Sequence, residues 1–329
     1  MTTYKTIRGT HIVSVTSDPP APVNGQMWYN STTRTLKGFT SNPAGTWATT
    51  SNLNTARFQL GGSGKSSTAA LAFGGSPPDA PSSKHQTESW NGSSWTEVND
   101  LNTGRANGVG IGTYTSAIYS GGDGLSGTTE TWNGSSWSNV TSSPFSGNSS
   151  GGAGADSEDA LVFGGSPQGS TAAALHWNGS SWTAAPSMNT ARGNLSGVGA
   201  TYTAALGVGG FTNPSTRKTE VEKYDGSSWT EVSDINTARG GLSSSGEVTS
   251  GLAYGGDASP ATGKTENWNG SSWTETGDLN TARAYLMNSG SGSDSTAAVV
   301  AGGTVSGPEF NASEQFVSPT TSTVTFTVS

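Results

Sequence analysis

The stretch from Asn236 to Trp273 reads NTARGGLSSSGEVTSGLAYGGDASPATGKTENWNGSSW, and its order of residues decides the fold. It opens on Asn-Thr-Ala-Arg, passes through small residues to a turn, and continues in a compact apolar run, Leu252 to Tyr254, that ends on Gly255-Gly256. An apolar run without alternation predicts a strand covered on both faces. After a polar loop, a further strand ends in Trp268, Asn269-Gly270 follows, and a last strand begins by Trp273. Asn-Gly suits a two-residue hairpin turn whose central residues take positive φ. The stretch therefore predicts four short antiparallel strands.

The same order recurs six times. The first glycine of the pair falls at Gly74, Gly121, Gly164, Gly209, Gly255 and Gly302, and the Trp of SSW or GTW at Trp47, Trp95, Trp137, Trp182, Trp229 and Trp273. The third strand ends in an aromatic each time: Trp90, Trp132, Trp177, Tyr224, Trp268 and Phe316. Four-stranded units of this length cannot bury both faces alone, so they stack around an axis. The expectation is an all-β chain, a six-bladed β-propeller of four-stranded antiparallel blades.

The spacing also predicts how the ring closes. Trp47 lies ten residues before Arg57, as Trp95 does before Arg105, so Trp47 marks a fourth strand with no unit in front of it. The last unit supplies Arg283, Gly302 and Phe316 but then reads VSPTTSTVTFTVS in place of NGSSW. The N-terminal strand by Trp47 is thus expected to complete the sixth blade, giving a propeller over 46–329 behind an arm and hairpin over 1–45. The final strand, with Val324, Phe326 and Val328, reads as a competitor for that slot or as an edge strand open to another chain.

Composition excludes several functions. The formal net charge is −8, with 15 Lys plus Arg and no basic run, so neither nucleic acid nor an anionic membrane is an expected partner. There is no Cys, which removes disulfides, thiolate metal sites and a thiol nucleophile. His11, His85 and His176 lie far apart and form no ligand spacing, so no metal or other cofactor is expected. No apolar stretch approaches a membrane span, and the start lacks a signal-peptide core, which predicts synthesis in the cytoplasm and no membrane insertion. Asn-Gly-Ser at Asn91, Asn133, Asn178 and Asn269 matches a glycosylation acceptor, yet the repeated turn accounts for every copy.

Arg and Glu repeat together. Arg57, Arg105, Arg192, Arg239 and Arg283 open their units, and Glu88, Glu130, Glu222, Glu266 and Glu314 stand near the start of the third strands. The third unit lacks both, with Pro144-Phe145-Ser146-Gly147 and Leu175 instead. The pattern predicts an Arg that crosses strand two, where Gly-Gly leaves a gap, to reach Glu on strand three. Five of eight Arg are thereby committed to scaffold, leaving Arg8, Arg34 and Arg217. Most carboxylates also sit at equivalent places, such as Asp100, Asp234 and Asp278, so no catalytic residues are assigned and the chain is expected not to be an enzyme.

The loop after Gly-Gly varies from 8 to 13 residues between its second Gly and the Glu position. Varied loops on a fixed scaffold are where binding resides, which makes Asp79, Lys84, His85, Asp123, Asn213, Arg217, Asp257 and Lys264 the candidate binding face.

The apolar run closed by Gly-Gly, the following aromatic and the Trp at fixed spacing resemble the Kelch family over residues 46–317. That resemblance implies a propeller and no single function. The segment PPAPVNGQMWYNSTTRTLKGFTSNPAGTW, Pro19 to Trp47, resembles the β-hairpin element of phage tail-fibre and other virion proteins. It implies a virion structural protein: a tail-fibre, tail-tip or surface-attached propeller. Other virion proteins would meet the N-terminal arm, including Lys5 to Ile7 and His11 to Val15, and the C-terminal strand, with a host surface glycan as candidate ligand of the loops. The alternative is a free carbohydrate-binding propeller lectin, for which Trp95, Trp137, Trp182, Trp229 and Trp273 would have to be exposed.

Overall fold

The computed structural model describes residues 12–20, 22, 25–42, 45–77, 85–123, 127–144, 148–166, 170–212, 216–287, 295–305, 310–318 and 320–326. Two units divide the chain, one of Thr46–Val317 and one of Met1–Gly45 with Ser318–Ser329.

The larger unit is a β-propeller. Its first blade runs Gly61–Ser66, Ala69–Phe73, Thr87–Trp90 and Trp95–Val98, all antiparallel neighbours in that order. The apolar second strand is buried on both faces, and Trp90 pairs with Trp95 across the Asn-Gly turn, their rings 5.3 Å apart. Four further blades repeat this order; their second strands are Ala117–Ser120, Asp159–Phe163, Ala204–Val208 and Ser250–Tyr254. In the sixth, Ala297–Ala301 pairs with Ser313–Val317, which pairs with Thr46–Thr50 in the register Phe316 to Trp47. The strand nearest the N-terminus of this unit thus closes the last blade. Two other sheets are described: a two-stranded ribbon, Phe211–Thr212 with Thr216–Arg217, inside a loop of the fourth blade, and the sheet of the smaller unit.

A closed cycle of backbone hydrogen bonds links the six blades. Gln59 N donates to Tyr285 O, Asn107 to Gln59, Ser149 to Asn107, Asn194 to Ser149, Gly241 to Asn194 and Tyr285 to Gly241, at 2.7 to 2.9 Å. All six residues sit in the left-handed region, with φ between 50° and 60°. The first strands are rich in small residues because they approach closely: a Cβ on Gly110 would lie 2.4 Å from the carbonyl oxygen of Gly62 in the preceding blade. Gly74, at φ +66, meets a second such constraint, since a Cβ there would stand 2.5 Å from the Arg105 carbonyl of the following blade. The Gly-Gly pair is therefore a blade-to-blade contact, a role the sequence reading did not assign to it. The expected gap for Arg exists as well, at the second glycine, where a Cβ on Gly122 would lie 3.3 Å from Arg105 Cδ.

The smaller unit is a sheet in which Val13–Val15 pairs parallel with Met27–Asn30, followed by Thr35–Asn42 and Thr320–Phe326 in antiparallel order. Asp18 ties it together, accepting hydrogen bonds from Trp28 Nε1 (2.9 Å), Asn30 Nδ2 (2.8 Å) and Lys37 Nζ (2.6 Å). These three donors hold the Asp18 carboxyl down at about 2. Three expectations are corrected here. The propeller ends at Val317 rather than at 329; the C-terminal strand joins the arm because the long Thr35–Asn42 strand offers it an edge while Thr46–Thr50 fills the blade slot. Residues Val13–Val15 have a partner in their own chain. Lys5 to Ile7 lie outside the described residues, as do Arg8, His11 and Val328.

Candidate functional site

The five Arg–Glu pairs form, each buried inside its own blade. Arg57 shows the arrangement: Nη1 donates to the carbonyls of Gly74 and Gln86, both at 2.8 Å, and Nη2 to Glu88 Oε1 at 2.7 Å. Crossing the second strand at its glycine end lets the guanidinium take up a carbonyl there before meeting the carboxylate. Arg105 bonds Glu130 and lies 4.4 Å from the centre of the Tyr119 ring, whose hydroxyl burial pushes up to about 12. Burial also pulls the Arg57, Arg192, Arg239 and Arg283 guanidiniums below their ordinary range, while the facing Glu pulls them back. Such groups stay charged because the ordinary value is so high. Arg283 Nη2 stands 3.2 Å from Glu314 Oε1, an ion pair without the aligned hydrogen bond of its counterparts.

A third member of this bridge was not singled out from sequence. Glu88 Oε2 accepts from both Asn54 N and Asn54 Nδ2, at 2.8 Å each, and the same Asn reaches the Trp95 carbonyl at 3.4 Å. Asn102, Asn236 and Asn280 repeat the double bond to their Glu, and Asn189 repeats it through its backbone. The signal was present, because the third unit replaces this Asn by Pro144 along with losing Arg and Glu. In that blade Ser150 Oγ donates to the Gly164 carbonyl at 3.2 Å, on the group that a guanidinium takes elsewhere.

The candidate loop residues are mostly engaged with one another or with their own blades. Arg217 grips Asp257 through Nη2 to both carboxylate oxygens at 2.9 Å. Lys264 Nζ meets Glu275 at 2.6 Å, and His85 Nδ1 lies 3.0 Å from the Leu101 carbonyl. Asp123 accepts from Asn107 Nδ2 (2.6 Å) and Asn148 Nδ2 (2.9 Å). Asp79, Lys84 and Asn213 lie outside the described residues. Among those described, no three His, Asp or Glu stand together in a way that would hold a metal ion.

Where the hydrogen-bond cycle meets the axis there is a small cavity of about 50 Å³. Gln59, Asn107, Ser149, Asn194 and Tyr285 line it as a polar rim, together with Leu60, Leu195, Leu242 and Leu286, which belong to the apolar clusters between blades. No pattern of residue types marks this rim in the sequence, because its residues differ in type from unit to unit. What they share is a backbone conformation.

Trp47, Trp95, Trp137, Trp229 and Trp273 are buried, and Trp182 is half-buried. Trp47, Trp95 and Trp137 donate their indole N–H across the blade boundary to Thr265, Ser313 and Thr87 at 2.9 to 3.0 Å.

No family model matches the chain, and no curated protein does. Among solved structures it is similar to YjhT, a β-propeller-type protein, with a TM-score of 0.63 and 12% identity over 82% of this chain and 99% of that one. At that identity the likeness shows the fold alone.

Proposed function

We propose that this chain is a non-catalytic structural and attachment protein of a phage-like virion, with its propeller as a Kelch-type scaffold. One observation supports the non-catalytic half: the charged groups that recur with the repeat are spent on the scaffold. Five Arg and five Glu are buried in pairs, and on the loop face Arg217, Asp257 and Lys264 are satisfied by partners of this chain. A general acid or base must be free to meet substrate. The virion half rests on the resemblance of Pro19 to Trp47 to phage hairpin elements. The smaller unit supports it with Val13–Val15 and Thr320–Phe326, which among the described residues are the two outer strands of its sheet and would suit strand addition to another virion protein.

The free-lectin alternative is weakened by the Trp positions, since four of the five it needs are buried between blades. The test is mass spectrometry of gradient-purified particles from the culture that makes this chain. We expect it to co-sediment with the capsid and resist a high-salt wash. Recovery only in the soluble fraction would overturn the virion assignment.

A further inference from the structure

We propose that the axial mouth of the propeller binds a neutral saccharide, with the Tyr285 ring as its stacking wall and the amides of Gln59, Asn107 and Asn194 as its hydroxyl partners. This deepens the attachment reading above and rests on it.

The hydrogen-bond cycle requires positive φ at six positions, and glycine satisfies that requirement without a steric penalty. Gly241 shows that glycine is accommodated there. Asn107 and Asn194 are also tolerant, because Asn visits this region readily. Gln59, Ser149 and above all Tyr285, at φ 54, are not, and a bulky residue in this region is an outlier that calls for a reason. The side chains supply one: every non-glycine member of the cycle carries a hydroxyl or amide, and each of these residues lines the cavity.

The placement of Tyr285 adds a second observation. Its ring rests against Gly241, where a Cβ would come within 2.8 Å of it, so the single bare position of the cycle is the one the ring leans over. Tyr285 is half-buried and is one of the residues lining the cavity. The leucines that follow four of these residues are buried in the clusters between blades, so the polar groups and the Tyr285 ring are what the cavity offers a ligand. A sugar has the matching chemistry, with hydroxyls at its edge and C–H groups on its face.

Size and charge narrow the ligand. A cavity of about 50 Å³ accommodates a few water molecules or a small group such as one hydroxymethyl arm, so the sugar ring itself would lie against Tyr285. Arg217, the loop cation near Tyr285, is neutralised by Asp257, and Asp123 adds negative charge beside Asn107. An acidic sugar would therefore be disfavoured.

The experiment titrates the full chain with glucose, galactose, N-acetylglucosamine, sialic acid and, separately, calcium chloride, following the Tyr285 ring and the Asn107 and Asn194 amides by NMR. Tyr285→Gly is the diagnostic variant: it keeps a residue suited to positive φ, so its melting temperature should hold or rise while saccharide binding falls by roughly tenfold or more. Shifts with a neutral sugar that disappear in Tyr285→Gly support the site. No response to any sugar, a response to calcium alone, a preference for sialic acid, or equal binding by Tyr285→Gly overturns it. These readouts do not depend on particle association, so the virion assignment and the saccharide site can fail separately.

Discussion

Five blades carry a buried bridge of Asn, Arg and Glu, and the third blade does without it. The third blade has the same four-stranded order, the same Trp-to-Trp pairing across the hairpin turn and the same apolar second strand as the bridged first blade. The bridge is therefore not what makes a blade. What it does is fasten the chain crossing to the sheet, because Glu takes the backbone N–H groups of Asn and, in some blades, Thr in that crossing. In the third unit the crossing lacks this clamp, and it also carries Ser143 where the others bury Leu53, Leu101, Met188, Ile235 or Leu279. Trp182, the fourth-strand Trp of that blade, is correspondingly the more exposed one.

Breaking a bridge in a regular blade should give the largest effect. Arg239→Leu leaves Glu266 buried with no cation and should destabilise the propeller by about 3 to 5 kcal/mol. The double change Arg239→Leu with Glu266→Leu should be far milder, approaching the state the third blade already has. Urea denaturation of the two variants measures this; equal losses would mean that the pair is not coupled.

The indoles give the next comparison. Trp137 is buried and donates to Thr87, so Trp137→Ala should cost about 3 to 5 kcal/mol. Trp182→Ala, in the third blade, should cost less than half as much. Thermal melts of both suffice, and matching losses would show that the third blade is packed like the rest.

The repeat, the closure of the sixth blade and the co-variation of Arg with Glu were legible because each is a pattern of residue types at fixed spacing. Trp47 and Phe316 could be placed opposite one another by counting. The partner of Thr320–Phe326 could not, since a Thr-rich alternating strand fits any open edge and only three-dimensional competition decides which. The axial rim was hidden for another reason. Gln59, Asn107, Ser149, Asn194, Gly241 and Tyr285 are unlike one another, and what unites them is a φ value that sequence does not spell out for Gln, Ser or Tyr. The loop face misled in the opposite direction: Arg217 and Asp257 read as free charges because they lie 40 residues apart, and the fold pairs them.

A smaller effect should come from repairing an irregularity. Trp273 Nε1 is buried without a hydrogen-bond partner, and the residue at the place of Thr87, Thr265 and Ser313 in the neighbouring blade is Val221. Val221→Thr would put a hydroxyl where Trp47, Trp95 and Trp137 find theirs and should stabilise the protein by about 1 kcal/mol. An unchanged or lowered melting temperature would show that the hydroxyl cannot reach this indole.

The smallest effect concerns the turns. Asn91, Asn133, Asn178 and Asn269 each accept the two following Ser amide N–H groups on a side-chain oxygen, and Asp225 does the same in the fourth blade with a carboxylate. The bonds from Ser227 and Ser228 lower the Asp225 carboxyl from 3.8 to about 2. A lowered folded-state value means that its contribution to stability is complete above about pH 4 and is lost as pH falls through about 2. Between those limits the Ser227 and Ser228 amide resonances should move with a single titration, while the equivalent amides after the four Asn stay fixed. Asp225→Asn should abolish the movement and leave the turn intact, since that residue serves the other four blades. Titration of the Asn-capped turns over the same window would show that the signal comes from the ring as a whole and not from this carboxylate.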